Sequence, residues 1–208
     1  MDPLFLFALF VFGIIVIPGM DMAYVLASSL VDGRRGGLAA VAGMTAGGAV
    51  HVAMGALGVG LLLKAWPGLF QAVLVAGALY VAWMGLGLWR SPASLSEVQA
   101  QPSRPGGRIF GRAMATCLLN PKAYVFMAAV FPQFLRPAQG NIAGQALAMA
   151  AIVVLTQAVV YGAVALGAAG LRARLRASVQ GQALVSRGVA VLLVTTSAWA
   201  LWTGWNAA

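Results

Sequence analysis

The amino-acid sequence predicts an all-α integral membrane protein of six transmembrane helices, an inverted three-plus-three repeat in which helices one and four are broken. Composition is the first reason: 62% of the residues are hydrophobic and only 8% are charged, too few to give a soluble domain a solvated face. Second, several apolar stretches reach the ~20 residues that span a bilayer. Third, prolines interrupt two of these stretches, at Pro18 and Pro121.

Six apolar stretches predict the six helices, in chain order residues 3–30, 38–63, 67–89, 110–134, 142–171 and 188–206. The first lacks the basic region and small-residue cleavage site of a signal peptide, so we expect it to be retained as helix one. The sequence thus predicts a single transmembrane domain over residues 1–208.

The polar segment 91–107 is rich in Pro, Ser, Gln and Gly, and it predicts a cytoplasmic linker between repeat halves 1–90 and 108–208. Three helices per half is an odd number, so the second half should enter the membrane in the opposite orientation. Tryptophans near the ends of helices three and six recur with the same spacing, as a duplication would produce: Trp83 and Trp89, then Trp199 and Trp205.

The net charge of +9 comes from basic residues that cluster between the predicted helices. Ten of the 13 lie in the first, third and fifth connections: Arg34, Arg35, Arg90, Arg104, Arg108, Arg112, Arg172, Arg174, Arg176 and Arg187. The positive-inside rule therefore predicts that these connections are cytoplasmic and that both termini are periplasmic. With the charge explained by topology, we expect no nucleic-acid partner.

Each broken helix carries an ionisable residue beside its proline, in Pro18-Gly19-Met20-Asp21 and in Asn120-Pro121-Lys122-Ala123. Lipid cannot satisfy the backbone groups that a proline frees, so such breaks persist where they line a wet cavity. We expect each proline to sit in the first turn of a new half-helix, with Asn120 as an N-cap. Two opposed helix N-termini would bind a carboxylate, so the predicted substrate-binding residues are Pro18, Gly19, Asp21, Asn120, Pro121 and Lys122.

We expect the two charges at these breaks to have a function, because a charge at the centre of a spanning helix costs about 2.5–3.5 kcal/mol. Lys122 adds a positive charge to the carboxylate site. Asp21 is the candidate for meeting the substrate amino group or for carrying a proton, because the other acids lie in tails or loops. The alternative is a pair of packing kinks in which Asp21 and Lys122 neutralise one another.

Three further polar residues in predicted helices two and five are candidates for a transport pathway or proton relay with Asp21, namely His51, Gln157 and Tyr161. Gln157 and Tyr161 are four residues apart and share a helix face. A hydrogen-bonded packing role is the alternative for His51, and hydrogen bonds to a neighbouring helix are the alternative for Gln157 and Tyr161. In helix two, Gly43, Gly47 and nearby glycines predict a surface for close helix packing.

Two other classes of protein fit the sequence less well. An intramembrane enzyme or redox carrier lacks its parts, since one cysteine, Cys117, and one histidine provide neither a thiol pair nor a metal-ligand cluster. We therefore expect no metal and no cofactor. A passive small-solute channel with opposed half-helices is the second alternative, although such channels use short re-entrant segments where helices one and four are long enough to span.

The chain resembles bacterial amino-acid exporters of the LysE/RhtB type over nearly its whole length. The resemblance lies in Pro18-Gly19-Met20-Asp21, in the Gly33-Arg34-Arg35-Gly36-Gly37-Leu38 segment before a glycine-rich helix, and in Asn120-Pro121-Lys122-Ala123. Family members usually have Pro-Gly-Pro where this chain has Pro-Gly-Met. The resemblance implies a multi-pass protein of the bacterial inner membrane that exports amino acids or related small metabolites, driven by protons as an antiporter. Its partners would be the solute, protons and the lipid bilayer, and a homo-oligomer is compatible with it.

Overall fold

The computed structural model describes residues 3–58, 65–90, 105–136, 140–175 and 179–205. These residues form eight α-helices: α1 (Pro3–Val16), α2 (Met20–Ala56), α3 (Pro67–Arg90), α4 (Gly106–Leu118), α5 (Pro121–Ala129), α6 (Phe131–Phe134), α7 (Ile142–Leu175) and α8 (Val179–Trp205). The predicted all-α class is confirmed. Two stretches, Met20–Ala56 and Ile142–Arg172, are long and apolar enough to cross a membrane, while Pro3–Val16, Gln71–Gly87 and Arg187–Trp202 are shorter apolar helices. Most of predicted linker 91–107 lies outside the described residues.

The first predicted helix is broken where expected, but Pro18 does not begin the second piece. α1 ends at Val16, and α2 begins at Met20 with Gly19 as its N-cap in an extended conformation (φ −164°, ψ −169°). The prediction that Pro18 occupies the first helical turn is therefore wrong, because Pro18 precedes the N-cap residue Gly19. Met20, the third residue of the Pro-Gly-Met segment, is the first helical residue, the place that tolerates a missing N–H.

The connection predicted between helices one and two is reduced to one non-helical residue inside α2. Gly33 has φ 74° and ψ −164°, a conformation that glycine adopts without strain. The chain folds back there, since Gly37 packs against Ser29, which a straight helix would place about 12 Å away. Arg172 of α7 braces this turn by donating from Nη2 to the Val31 carbonyl at 2.8 Å.

The predicted helix four is broken at Asn120-Pro121 as expected, and a second time before Pro132. α4 begins at Gly106, four residues earlier than predicted, and ends at Leu118. α5 is only nine residues long, and α6 follows after Val130. The second break was not predicted, although Pro132 near the start of α6 is its local cause.

Three other helix boundaries differ from the prediction. α2 ends at Ala56 instead of residue 63, because Gly58 follows at φ 80° and terminates the helix. Residues 59–64 lie outside the described part of the chain. α7 extends to Leu175, and α8 begins at Val179, nine residues before the predicted start.

The glycines of α2 pack closely against its neighbours, as predicted. A Cβ on Gly43 would lie 2.7 Å from the Ala113 Cβ, and one on Gly47 would lie 2.8 Å from the Cys117 Cβ. The backbones of α2 and α4 are thus in direct contact, an approach that only small residues allow. Gly58 does not take part, since it forms the helix end, and Gly60 lies outside the described residues.

Large apolar side chains cover much of the outer surface. Leu147 is 71% exposed, Val159 70% and Trp199 66%, each on a different helical turn. Such a surface would aggregate in water but suits lipid. One core cluster joins α2 with α1, α4, α6 and α7, and a second joins α2 with α3, α7 and α8.

Candidate functional site

The first break leaves carbonyl oxygens that a side chain of the second half binds. In a continuous helix the Ile14 carbonyl would accept from the N–H of residue 18, which Pro18 lacks. Lys122 of α5 replaces it, donating from Nζ to the Ile14 and Ile17 carbonyls at 3.0 Å each. The ammonium therefore lies at the C-terminus of α1, where the helix dipole favours positive charge.

At the second break, a side chain of the first half reaches a carbonyl of the second half. Pro121 cannot donate to the Cys117 carbonyl, which accepts instead from the Asn120 N–H at 3.1 Å and lies 2.9 Å from Nε2 of His51 in α2. Because a carbonyl only accepts, Nε2 carries the proton, and Nδ1 of the neutral ring is an acceptor. Tyr124 packs edge-on against the imidazole, with the two ring centroids 5.0 Å apart, and this contact restricts the orientation of the imidazole. Each half of the chain thus supplies the side chain that binds the carbonyl freed in the other.

The two new helix N-termini are not equivalent. Asn120 caps α5 as predicted, and its Oδ1 accepts from the Lys122 N–H at 3.0 Å. At the start of α2, within the described residues, no side chain caps the first turn. The free backbone donors of this pair therefore belong chiefly to α2, which makes its N-terminus the stronger anion site.

A cavity of about 540 Å³ joins both N-termini. Residues of the first break, of the second break and of α8 line it, among them Pro18, Gly19, Asn120, Pro121, Lys122, Thr195 and Thr196. This volume is within the range of small-molecule sites. The two threonine hydroxyls donate to carbonyls of their own helix, so their oxygens remain available as acceptors.

A second, smaller cavity of about 60 Å³ lies on the other side of Asn120 and Lys122, which line both. Its polar lining includes Asp21, His51, Asn120, Lys122, Gln157 and Tyr161, surrounded by apolar side chains. Each predicted site residue therefore lines one or both cavities. Gln157 and Tyr161 share a face as expected, whereas the neighbouring Thr156 binds its own helix and Gln145 binds the backbone at Arg136 and Gly140.

Four polar atoms at the smaller cavity make no hydrogen bond within 3.5 Å to the described part of the chain. They are Asp21 Oδ1, His51 Nδ1, Asn120 Nδ2 and Gln157 Oε1, and each residue is at most 5% exposed. Buried polar groups are nearly always paired, and leaving one unpaired costs about 1–3 kcal/mol. Four such atoms around one cavity indicate a site for a polar ligand.

Asp21 and Lys122 do not neutralise one another through direct contact. Lys122 directs its ammonium to the α1 carbonyls, and Asp21 Oδ2 accepts from the Tyr161 hydroxyl at 3.5 Å. Asp21 lies in the first turn of α2, where the helix dipole favours a carboxylate. Each charge therefore has its own partners at its helix end, without a direct ion pair between the two.

The roles of the Ile14 and Cys117 carbonyls were not predicted, although each lies four residues before a proline that interrupts its helix. Gly48, whose lack of a side chain makes room for Gln157, was not predicted either. Among the described residues no group of three His, Cys, Asp or Glu side chains could hold a metal ion.

Comparison with known proteins identifies the family. The LysE type translocator family matches residues 12–202. A homoserine/homoserine lactone efflux protein of Salmonella typhimurium is 34% identical over 164 residues, which cover 79% of this chain and 77% of the relative. A leucine efflux protein of Salmonella choleraesuis is 34% identical over 59% of this chain and 58% of its own length.

An uncharacterized membrane protein of Vibrio cholerae is 30% identical over 60% of each chain. No solved structure matches. The family match covers nearly the whole described chain and agrees with the resemblance seen in the sequence. The protein therefore belongs to the LysE family of translocators and is a membrane transporter, not an enzyme.

Proposed function

We propose that this protein is a secondary active exporter that moves amino acids or related small zwitterionic metabolites out of the cytoplasm in exchange for protons. The observation that carries the proposal is the pair of adjoining cavities, which places an uncapped helix N-terminus and Lys122 beside a buried carboxylate. A zwitterion matches this arrangement, because it brings one charge of each sign. The efflux proteins named above support the solute class.

The substrate carboxylate binds in the larger cavity, at the first turn of α2. The N–H groups there are uncapped, and Lys122 provides a full positive charge within the same cavity. The sequence predicted that the N-termini of α2 and α5 contribute equally to carboxylate binding. Because Asn120 caps α5, we propose that the α5 N-terminus contributes less than the α2 N-terminus. Gly19 lets the solute approach, since a Cβ there would already lie 3.4 Å from Lys122 Nζ.

Asp21 is the proton carrier in this proposal. It is 4% exposed, and within the described residues its Oδ1 has no hydrogen-bond partner. His51 and Tyr161 lie at the same cavity and extend the relay. A carboxylate that must bind either a proton or the substrate amino group couples the two fluxes, since both cannot occupy it together.

The architecture we propose is six spans in an inverted three-plus-three repeat, at the inner membrane, with both termini periplasmic. Two features support the repeat. At each break, a side chain of one half binds a backbone carbonyl of the other half, and α3 packs against α8, the last helix of each half. Arg34 and Arg35 are exposed at the turn of α2, as topology signals should be. A reporter fused after residue 208 that is active in the cytoplasm would contradict this orientation.

Counterflow in proteoliposomes tests the function. Vesicles loaded with unlabelled amino acid should accumulate the same labelled amino acid transiently, and L-homoserine and L-leucine are the first candidates from a full panel. Uptake driven by a pH gradient should collapse on addition of a protonophore. Flux that neither saturates nor shows counterflow would support the passive channel instead.

A further inference from the structure

The unpaired atoms at the smaller cavity are mostly hydrogen-bond acceptors. Asp21 Oδ1 and Gln157 Oε1 accept as carboxylate and amide oxygens, and His51 Nδ1 accepts because Nε2 donates to the Cys117 carbonyl. Asn120 Nδ2 is the single donor. A ligand that fits must therefore present several donors close together and one acceptor beside them.

The buried carboxylate of Asp21 also favours a ligand with a cationic group. The ammonium of Lys122 is held by two carbonyls at the negative end of the α1 dipole, which leaves Asp21 without an ion-pair partner among the described residues. The N-terminus of α2 supplies only about half a positive charge. A cation at Asp21 would complete the balance of a buried carboxylate.

Ammonium fits the site better than a metal ion. An –NH₃⁺ group has three donors and no acceptor, matching the three acceptors. Hard metal cations prefer six or more oxygen ligands, whereas this site offers two unpaired oxygens and one nitrogen. A volume of about 60 Å³ holds a head group but not a whole amino acid, whose remainder would extend past Asn120 into the larger cavity.

We propose that Asp21, His51 and Gln157 form a binding site for a primary ammonium group, which donates one N–H to each of their unpaired acceptors. Asn120 donates to the carboxyl or carbonyl oxygen of the same solute. The proposal rests on the export function and adds a selectivity rule: the transported solute carries an unsubstituted amino group, and each N-methyl group removes one hydrogen bond.

Thermal stability of the purified protein in detergent tests the head-group site directly. Methylammonium chloride should raise the melting temperature in a saturable way, with half-saturation at least about tenfold below that of tetramethylammonium chloride, which has no N–H. Sodium chloride serves as the salt control. An equal rise with tetramethylammonium would mean a general salt effect, and an equal rise with sodium would mean a metal-cation site; either overturns the proposal.

Two variants test whether methylammonium binding depends on an acceptor of this site. Gln157→Met keeps the side-chain size but removes the oxygen, and it should weaken methylammonium binding about tenfold. Thr156→Val is the matched control on α7, because the Thr156 hydroxyl binds its own helix at Ile152. Should Gln157→Met fail to fold, Asp21→Asn takes its place with the same expected loss. Full methylammonium binding in the folded variant would contradict the proposal.

Transport separates this proposal from the export function. If an amino acid shows counterflow and its N,N-dimethyl derivative shows it equally well, the ammonium site is wrong while the exporter stands. If methylammonium binds as expected and no amino acid in the panel is exchanged, the site stands while the exporter is wrong.

Discussion

Replacing Lys122 with methionine is expected to reduce amino-acid counterflow to the background of protein-free liposomes. The change removes the cation shared by both cavities and leaves the Ile14 and Ile17 carbonyls without their donor. The Ile14 carbonyl is partly buried, and a fully buried carbonyl left unpaired costs about 1–3 kcal/mol, so the melting temperature should fall as well. Counterflow and thermal stability in detergent, measured on the same preparation, check both effects.

Pro18 provides the control that separates structure from transport. Alanine at position 18 has the N–H that Ile14 would use in a continuous helix, so Pro18→Ala should restore stability to the Lys122→Met protein. Transport should stay absent in the double variant, because the positive charge is still missing. Recovery of transport together with stability would show that Lys122 serves only to cap α1. Arg136→Met, at an exposed basic residue, should change neither property.

Asp21→Asn is expected to abolish pH-gradient-driven transport while the protein remains folded. Asparagine keeps an oxygen that can accept from Tyr161 but has neither the charge nor the titratable proton. Uptake under an imposed pH gradient should fall to background, and counterflow should fall at least about tenfold because the substrate ammonium loses its anionic partner.

Tyr161→Phe is the matched comparison for this variant. It removes the hydroxyl that donates to Asp21 at 3.5 Å but leaves the carboxylate, so its effect on transport should be clearly smaller. Wild-type transport in Asp21→Asn under both assays would end the proposal that this carboxylate takes part in coupling or binding.

Local features of the fold were predictable, because they depend on neighbouring residues. Asn120 followed by proline is an N-cap signature by its own chemistry, and α5 begins as predicted. The Pro18 break was placed correctly but its register was wrong, since Gly19 can adopt an extended cap that sequence does not reveal. The turn of α2 was expected to need seven residues, and Gly33 accomplishes it with one positive φ.

Contacts between the halves were not predictable in the same way. Lys122 was expected at a carboxylate, yet it binds carbonyls 105 and 108 residues away in the chain. His51 had no predicted partner, and its carbonyl at Cys117 is 66 residues distant. The rule that a proline frees the carbonyl four residues earlier would have identified both acceptors, but only tertiary packing determines which side chain reaches them.

The central claim is that the helix breaks serve transport, and Pro121→Ala tests it most directly. Alanine supplies an N–H for the Cys117 carbonyl, which lets α4 run on into α5 and competes with His51 for that oxygen. Asn120 would then no longer cap α5, and the lining of both cavities would change. Pro105→Ala, at the exposed start of α4, is the control and should behave as wild type.

The measurement is melting temperature in detergent together with counterflow in proteoliposomes for Pro121→Ala. We expect the melting temperature to stay equal or rise, because a helical hydrogen bond is restored, while counterflow falls at least about tenfold. A raised melting temperature with wild-type counterflow would contradict the account, since it would show that the break at Asn120-Pro121 is a packing kink.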